Sequence, residues 1–228
     1  MKRLTRAFRP SFFWTSPGLL ASLLLLGSCI EIREELAIKS DRSGTYRIEV
    51  DAGQLAGLLL LTGAAGDEEI RAGIAMIRDA GSRMRKAKGI SNVLLDTLIG
   101  DGSMGLSFDF SDPARLNKAL YLLGEVEKKF YYPSLYKIGS RSIKRRNIAP
   151  VLRMQVRKEY PELLENAFLE SIELISTCRV SGDLREARGN QVRQRSQEAS
   201  FSWNMKELLS TDQGLGYKLR YSKGATTP

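Results

Sequence analysis

The chain has 228 residues, 35 Lys plus Arg, 26 Asp plus Glu, two cysteines and no histidine, for a formal charge of +9. That length buries a real core in one or two domains, and 43% hydrophobic with 27% charged residues is a globular composition. Without histidine there is no Ser-His-Asp or Cys-His nucleophile, no imidazole base and no His-bound zinc, copper or haem, and two cysteines cannot build a four-thiolate site.

The N-terminus sets the compartment. Residues 1–11 carry Lys2, Arg3, Arg6 and Arg9 and no acid, and an apolar run from Phe12 to Leu26 follows. A basic start, a short apolar stretch and small residues before a cut site make an export signal. The solidly apolar part, Leu19–Leu26 with Ser22 inside it, is far shorter than the roughly 20 residues of a membrane span. It ends in Leu26-Gly27-Ser28-Cys29, which resembles the lipobox of bacterial lipoproteins. By that resemblance residues 1–28 are a lipoprotein signal peptide and Cys29 is the mature N-terminus. Cys29 would carry a diacylglyceryl thioether and an N-acyl chain. Two or more acyl chains hold a protein firmly on a bilayer. The expected location is therefore exported and membrane-anchored, with Ile30 after the cysteine favouring the outer membrane in a Gram-negative cell. Cleavage leaves 31 bases against 26 acids, and it leaves Cys178 alone among apolar neighbours, where a buried thiol is expected.

Residues 30–39 alternate, with Ile30, Ile32, Leu36 and Ile38 on one face and Glu31, Arg33, Glu35 and Lys39 on the other, which reads as a half-buried strand. A turn at 40–44 follows, with Gly44 free to take positive φ, and Tyr46, Ile48 and Val50 continue the hairpin. Gln54–Leu61 is leucine-rich and too short to span a bilayer. Residues 67–88 are expected to be helical, with acids in the first turn, bases in the last and Gly89 as the stop. Residues 90–99 and 104–110 read as a second hairpin, and Asp112-Pro113 as the cap of a helix running to about Gly124. Phe130–Ile148 is expected to be extended, and a short helix falls near 159–169. Ser171–Val180, Phe201–Met205 and Leu215–Tyr221 are expected strands, and 222–228 is a tail. The pattern implies one α+β domain over 29–221, mostly antiparallel, with two or three helices packed on the sheet; any internal division falls near residue 150.

Several segments resemble LppM-like envelope lipoproteins: EELAIKSDRSGTYRIEVD directly after the lipobox cysteine, GISNVLLDTLIGDGSMGLSFDFSDPARLNKAL, and RVSGDLREARGN followed by FSWNMKELL. The likeness spans most of 29–221 and departs over 130–168. It implies an α+β domain in the bacterial envelope and brings no catalytic residue or cofactor.

The densest charge feature holds Lys137, Arg141, Lys144, Arg145, Arg146, Arg153, Arg157 and Lys158, with no acid between 137 and 158. Nucleic acid is the usual partner of such a run. Export excludes it here and leaves an anionic lipid, an envelope protein or a cell-wall partner, against the plainer reading of a solvated basic edge. Ser134-Leu-Tyr-Lys137 fits S-x-x-K, the penicillin-binding nucleophile pattern, but has no SDN or KTG companion. Carboxylate clusters such as Asp67-Glu68-Glu69 are explained as a helix start, and no metal, cofactor or catalytic set is expected. The function read from the sequence is therefore a lipid-anchored envelope protein with a non-enzymatic binding or structural role at the membrane surface. The second reading is a carrier of a hydrophobic ligand, using 55–61 and the aromatics at 130–136. A hydrolase using Ser134 and Lys137 comes last.

Overall fold

The computed structural model describes residues 30–51, 75, 78–98, 103–123, 131–159, 161–165 and 167–222. The signal peptide, Cys29, the segment 54–61, the start of the helix expected from 67 and the tail after 222 lie outside the described residues.

Two sheets make up the fold. Strand β1 (Ile30–Ile38) pairs antiparallel with β2 (Gly44–Asp51), from Glu31 opposite Asp51 to Ile38 opposite Gly44. On its other side β1 runs parallel to β7 (Ile172–Val180), Ile30 opposite Ile172 through Ile38 opposite Val180. With β3 (Ile90–Leu98), β4 (Ser103–Phe110), β9 (Arg193–Gln194) and β10 (Glu198–Asn204) they form a seven-stranded sheet in the order β3-β4-β2-β1-β7-β10-β9. A four-stranded antiparallel sheet, β5-β6-β11-β8, is built from Tyr136–Ile138, Ser142–Arg145, Tyr217–Tyr221 and Leu184–Arg188. Strands from before and after residue 150 share both sheets. The class is α+β and mostly antiparallel, as the alternation implied.

Both sheets turn their apolar positions to one core. Leu36, Ile38, Tyr46, Phe108, Phe201 and Trp203 come from the larger sheet, and Tyr136, Ile143, Tyr217 and Leu219 from the smaller. Phe201 of β10 stacks on Tyr217 of β11, with centroids 4.2 Å apart and planes 5° apart.

The turn between β1 and β2 corrects one expectation. Arg42 takes the positive φ, at 70°. Gly44 is already the first residue of β2, and a Cβ there would lie 2.0 Å from the Ala37 carbonyl oxygen. Close strand approach, not a left-handed turn, demands glycine at 44. Gly89 has a φ of +80°, but the helix over 78–85 (α1) has already ended; this glycine instead makes the turn closed by the Ile90 N–H on the Ala87 carbonyl, which leads into β3.

Helix α2 (Pro113–Leu123) begins as its sequence implied. The Asp112 Oδ1 accepts the backbone N–H of Ala114 at 2.8 Å and of Arg115 at 3.0 Å. Asn117 then joins α2 to the small sheet: its Nδ2 donates to the Tyr136 carbonyl at 2.8 Å, and its Oδ1 accepts the Tyr136 N–H at 2.9 Å. The side-chain amide thus closes the edge of β5.

Residues 130–171 depart most from expectation. The extended stretch is a short hairpin, β5–β6, and helix α3 (Ala149–Glu159) follows it. Its start was written in Asn147, whose Oδ1 accepts the Ala149 N–H at 3.1 Å, and in Pro150 of the first turn. The expected helix near 159–169 is two 3-10 turns, Pro161–Glu165 and Ala167–Ser171. Met205 is not in a strand: it opens α4 (Met205–Ser210), capped by Asn204. The described helices number four, one more than the two or three expected.

Candidate functional site

The eight bases of 137–158 do not form one surface. Strand β6 is only four residues long, and its alternation sends Ile143 and Arg145 inward and Lys144 outward. Arg145 Nη2 lies 2.9 Å from Glu34 Oε2, with side chains 10% and 5% exposed. The contact is one of charge rather than a well-aligned hydrogen bond. Arg145 Nη1 donates to the Leu215 carbonyl at 2.8 Å, and the guanidinium carbon sits 5.8 Å from the Trp203 ring centroid. Arg145 therefore leaves the candidate patch: it joins the two sheets from inside.

Glu34 and Glu35 are neighbours on β1 and take opposite faces, as the alternation implied. Parity along β1 puts position 34 on the same side as Ile32 and Leu36, and it is buried there. Its Oε1 accepts the Tyr46 and Tyr136 hydroxyls, each at 2.8 Å, and Tyr217 approaches Tyr136 at 3.4 Å. Burial first, and then the Glu34 charge, holds the Tyr46 and Tyr136 phenols above their ordinary range; burial and then Tyr136 do so for Tyr217. Desolvation works to lower the Arg145 pKa, but the charge of Glu34 beside it outweighs that, so the guanidinium stays charged. Cys178 is fully buried beside this cluster as a free thiol, and desolvation pushes its pKa up. A thiol held protonated is a poor nucleophile.

Arg153 also leaves the patch. Its side chain is 12% exposed, and Nη1 donates to the carbonyls of Leu208, Thr211 and Gln213, satisfying the C-terminal end of α4. Arg157 and Lys158 remain exposed at the far end of α3, beside the exposed apolar side chains of Val151 and Met154. Arg141 and Arg146 are exposed next to the β5–β6 hairpin.

The exposed lysines gain company from outside the run. Lys137 of β5 is in register with Lys144 of β6, and Lys144 with Lys218 of β11. Lys218 is in turn opposite Arg188 of β8. Each lysine falls between two inward residues of its strand, so all three point out of the small sheet. The sequence places Lys218 outward, between Tyr217 and Leu219, but not Lys137 and Lys144 on their two short strands. It could not place the three side by side, because β6 and β11 lie more than 70 residues apart along the chain. Beside the three lysines runs a groove of about 580 Å3, bordered also by Ser134, Ser142 and Asn117. Ser134 and Lys137 thus share one groove, with no hydrogen bond between them.

The aromatics at 130–136 divide as well. Tyr136 is in the core, while Tyr131 and Tyr132 pack edge-to-face at the surface and Tyr132 stacks on Tyr121. Among the described residues, no group of three or more Cys, Asp or Glu side chains is placed to hold a metal ion, and no helix is long and apolar enough to cross a membrane.

No protein-family model and no curated protein matches the chain. Among solved structures it is similar to the folded domain of LppM from Mycobacterium tuberculosis, determined by NMR. The alignment covers 86% of this chain and 92% of that one, at 11% identity and a TM-score of 0.45.

Proposed function

We propose that the protein is a lipid-anchored component of the bacterial envelope with a non-enzymatic binding role at the membrane surface. In this reading Cys29 carries the acyl chains and the domain binds an anionic partner through its basic side. One observation carries the reading. Strand β1 opens at Ile30, one residue after the lipobox cysteine, and it lies inside the seven-stranded sheet between β2 and β7. The first residue after the anchor is therefore already a sheet residue, and no linker separates lipid from domain. A β-strand rises about 3.3 Å per residue, so Glu34 stands only about 13 Å along the strand from Ile30. A domain tied so closely has one side against the bilayer at all times, and two or more acyl chains make that attachment durable.

Mass spectrometry of the mature N-terminal peptide tests the anchor. The expected result is a peptide beginning at Cys29 and carrying acyl mass, with Cys29→Ser abolishing both cleavage and acylation. An uncleaved, unacylated wild-type chain overturns the reading.

A further inference from the structure

The outward face of the small sheet is strongly basic. Its outward positions are Lys137 on β5, Ser142 and Lys144 on β6, Lys218 and Arg220 on β11, and Glu186 and Arg188 on β8. Glu186 is the one acid among them. It pairs with Arg188, and with Arg220 at 3.6 Å. Lys137, Lys144 and Lys218 have no acidic partner among the described residues, and Arg141 adds a further base at the adjoining turn.

Like charges directly opposite one another on neighbouring strands destabilise a sheet. Here four bases stand abreast across all four strands, a row of about 14 Å at the usual strand spacing. No described element lies over them. The hairpin β5–β6 and strand β11 could satisfy their alternation with any polar residue outward, so nothing in the folding of this sheet calls for lysine at all three positions. The arrangement fits an extended anionic surface that supplies the missing countercharge.

We infer that this face is the docking surface by which the anchored domain lies on anionic lipid headgroups. The inference rests on the lipid anchor proposed above, because the anchor brings that surface within reach. Lys144 is the chain neighbour of Arg145, which pairs with Glu34, and Glu34 is about 13 Å along β1 from Ile30. The row is thus a short distance from the point where the chain leaves the membrane. The alternative posture stands the domain on its Ile30 end. That end carries the exposed acids Glu165, Glu170, Glu207 and Asp212 beside Arg157 and Lys158. Two of those acids are already tied to Lys206 and Arg153, and the mixture has no net pull toward phosphates. Tilting onto the small sheet exchanges that mixed end for a face of bases. The groove beside α2 then gives headgroups depth, with Ser134 and Ser142 hydroxyls at its rim. Each lysine at an anionic surface strengthens attachment roughly fivefold, and the effect fades with salt.

The test labels lysines on the mature chain, held by its own acyl chains on vesicles of phosphatidylcholine alone or with added phosphatidylglycerol. An amine-reactive ester marks exposed lysines and mass spectrometry reads each site. Lys137, Lys144 and Lys218 are expected to lose labelling at least fivefold on anionic vesicles and to regain it in high salt. Lys39, at the β1–β2 turn, stays unchanged. The variant K137E/K144E/K218E, confined to exposed positions, keeps its fold by circular dichroism, and Arg141 and Arg188 of this variant then gain reactivity toward an arginine reagent on the same vesicles. Equal lysine labelling on both vesicles overturns the inference. Protection by soluble tripolyphosphate but not by vesicles also overturns it, in favour of a free phosphorylated ligand. The anchor and the face fail separately: the N-terminal peptide mass reads the anchor, while labelling reads the face, even on unacylated chain mixed with the same vesicles.

Discussion

On the outward face of the seven-stranded sheet, charges stand beside their opposites. Arg33 pairs with Glu31 and Asp51, Arg47 with Glu49 and Asp96, and Arg179 with Glu198. Asp109 takes hydrogen bonds from Thr45 and Asn92, which hold its carboxyl below the usual range. On the outward face of the four-stranded sheet, Lys137, Lys144 and Lys218 stand beside one another. Both faces are solvated, and both obey the same alternation of inward apolar and outward polar residues. The pattern that makes a strand therefore says nothing about whether its charges are balanced. A balanced face is complete in water, whereas a strongly basic face gains when a counter-charged surface arrives. Between the two faces, Glu34 and Arg145 form the one described ion pair with both side chains in the core, and there the pairing is obligatory.

The largest effect should come from that inner pair. Removing one member of a buried pair strands the other and costs about 3–5 kcal/mol, while replacing both with apolar residues is often close to neutral. Arg145→Met should lower stability by that amount in urea titration, because Glu34 is then left among three phenols. The double variant Glu34→Gln/Arg145→Met, which removes both charges but keeps an acceptor for the Tyr46 and Tyr136 hydroxyls, should recover most of the loss. A single variant that unfolds at the wild-type midpoint would mean that Arg145 belongs with the outward bases after all.

Alkaline pH probes the same cluster more gently. Tyr46, Tyr136, Tyr217 and Cys178 all have raised pKa values, so the fold holds their protons where the unfolded chain releases them. Their contribution to stability is complete below the ordinary values, about 8.5 for a thiol and about 10 for a phenol, and is lost as pH rises beyond them. Each group costs up to about 1.4 kcal/mol per pH unit in that range. Urea midpoints should be level near neutrality and fall steeply above about pH 10, and Tyr136→Phe should make the fall shallower. A midpoint unchanged through the phenol range would show that these hydroxyls reach water.

How much of this was legible depends on the range over which the information is written. Alternation along 30–51 and 104–110 was enough to place β1, β2 and β4, because those strands are eight or nine residues long. The same parity puts Glu34 on the core face, but an acid there makes sense only with Arg145 present, 111 positions away. In β6, four residues leave too few periods to separate Arg145 from a surface run of bases. Helix α3 escaped because Val151 and Met154 are exposed, so its apolar residues do not form one inward stripe. Its local start, Asn147 with Pro150, was the readable part. The lysine row needed the pairing of β5, β6 and β11, a long-range register that no local window contains.

The smallest effects separate the two outward faces by sign. Arg179→Ala removes an exposed ion pair with Glu198 and should destabilise by no more than about 1 kcal/mol. Lys144→Thr removes a charge flanked by Lys137 and Lys218 and introduces a residue at home in a strand, so it should stabilise by a few tenths of a kcal/mol. Salt should act on the two in opposite directions, weakening the Arg179–Glu198 attraction and relieving the repulsion around Lys144. Thermal unfolding of both variants at low and high salt resolves the difference, with the gap between them narrowing as salt is added. If Lys144→Thr instead loses stability as Arg179→Ala does, and by the same amount at every salt concentration, then Lys144 is held by the sheet itself. The row would then be part of the fold's own balance and would have no need of a membrane to complete it.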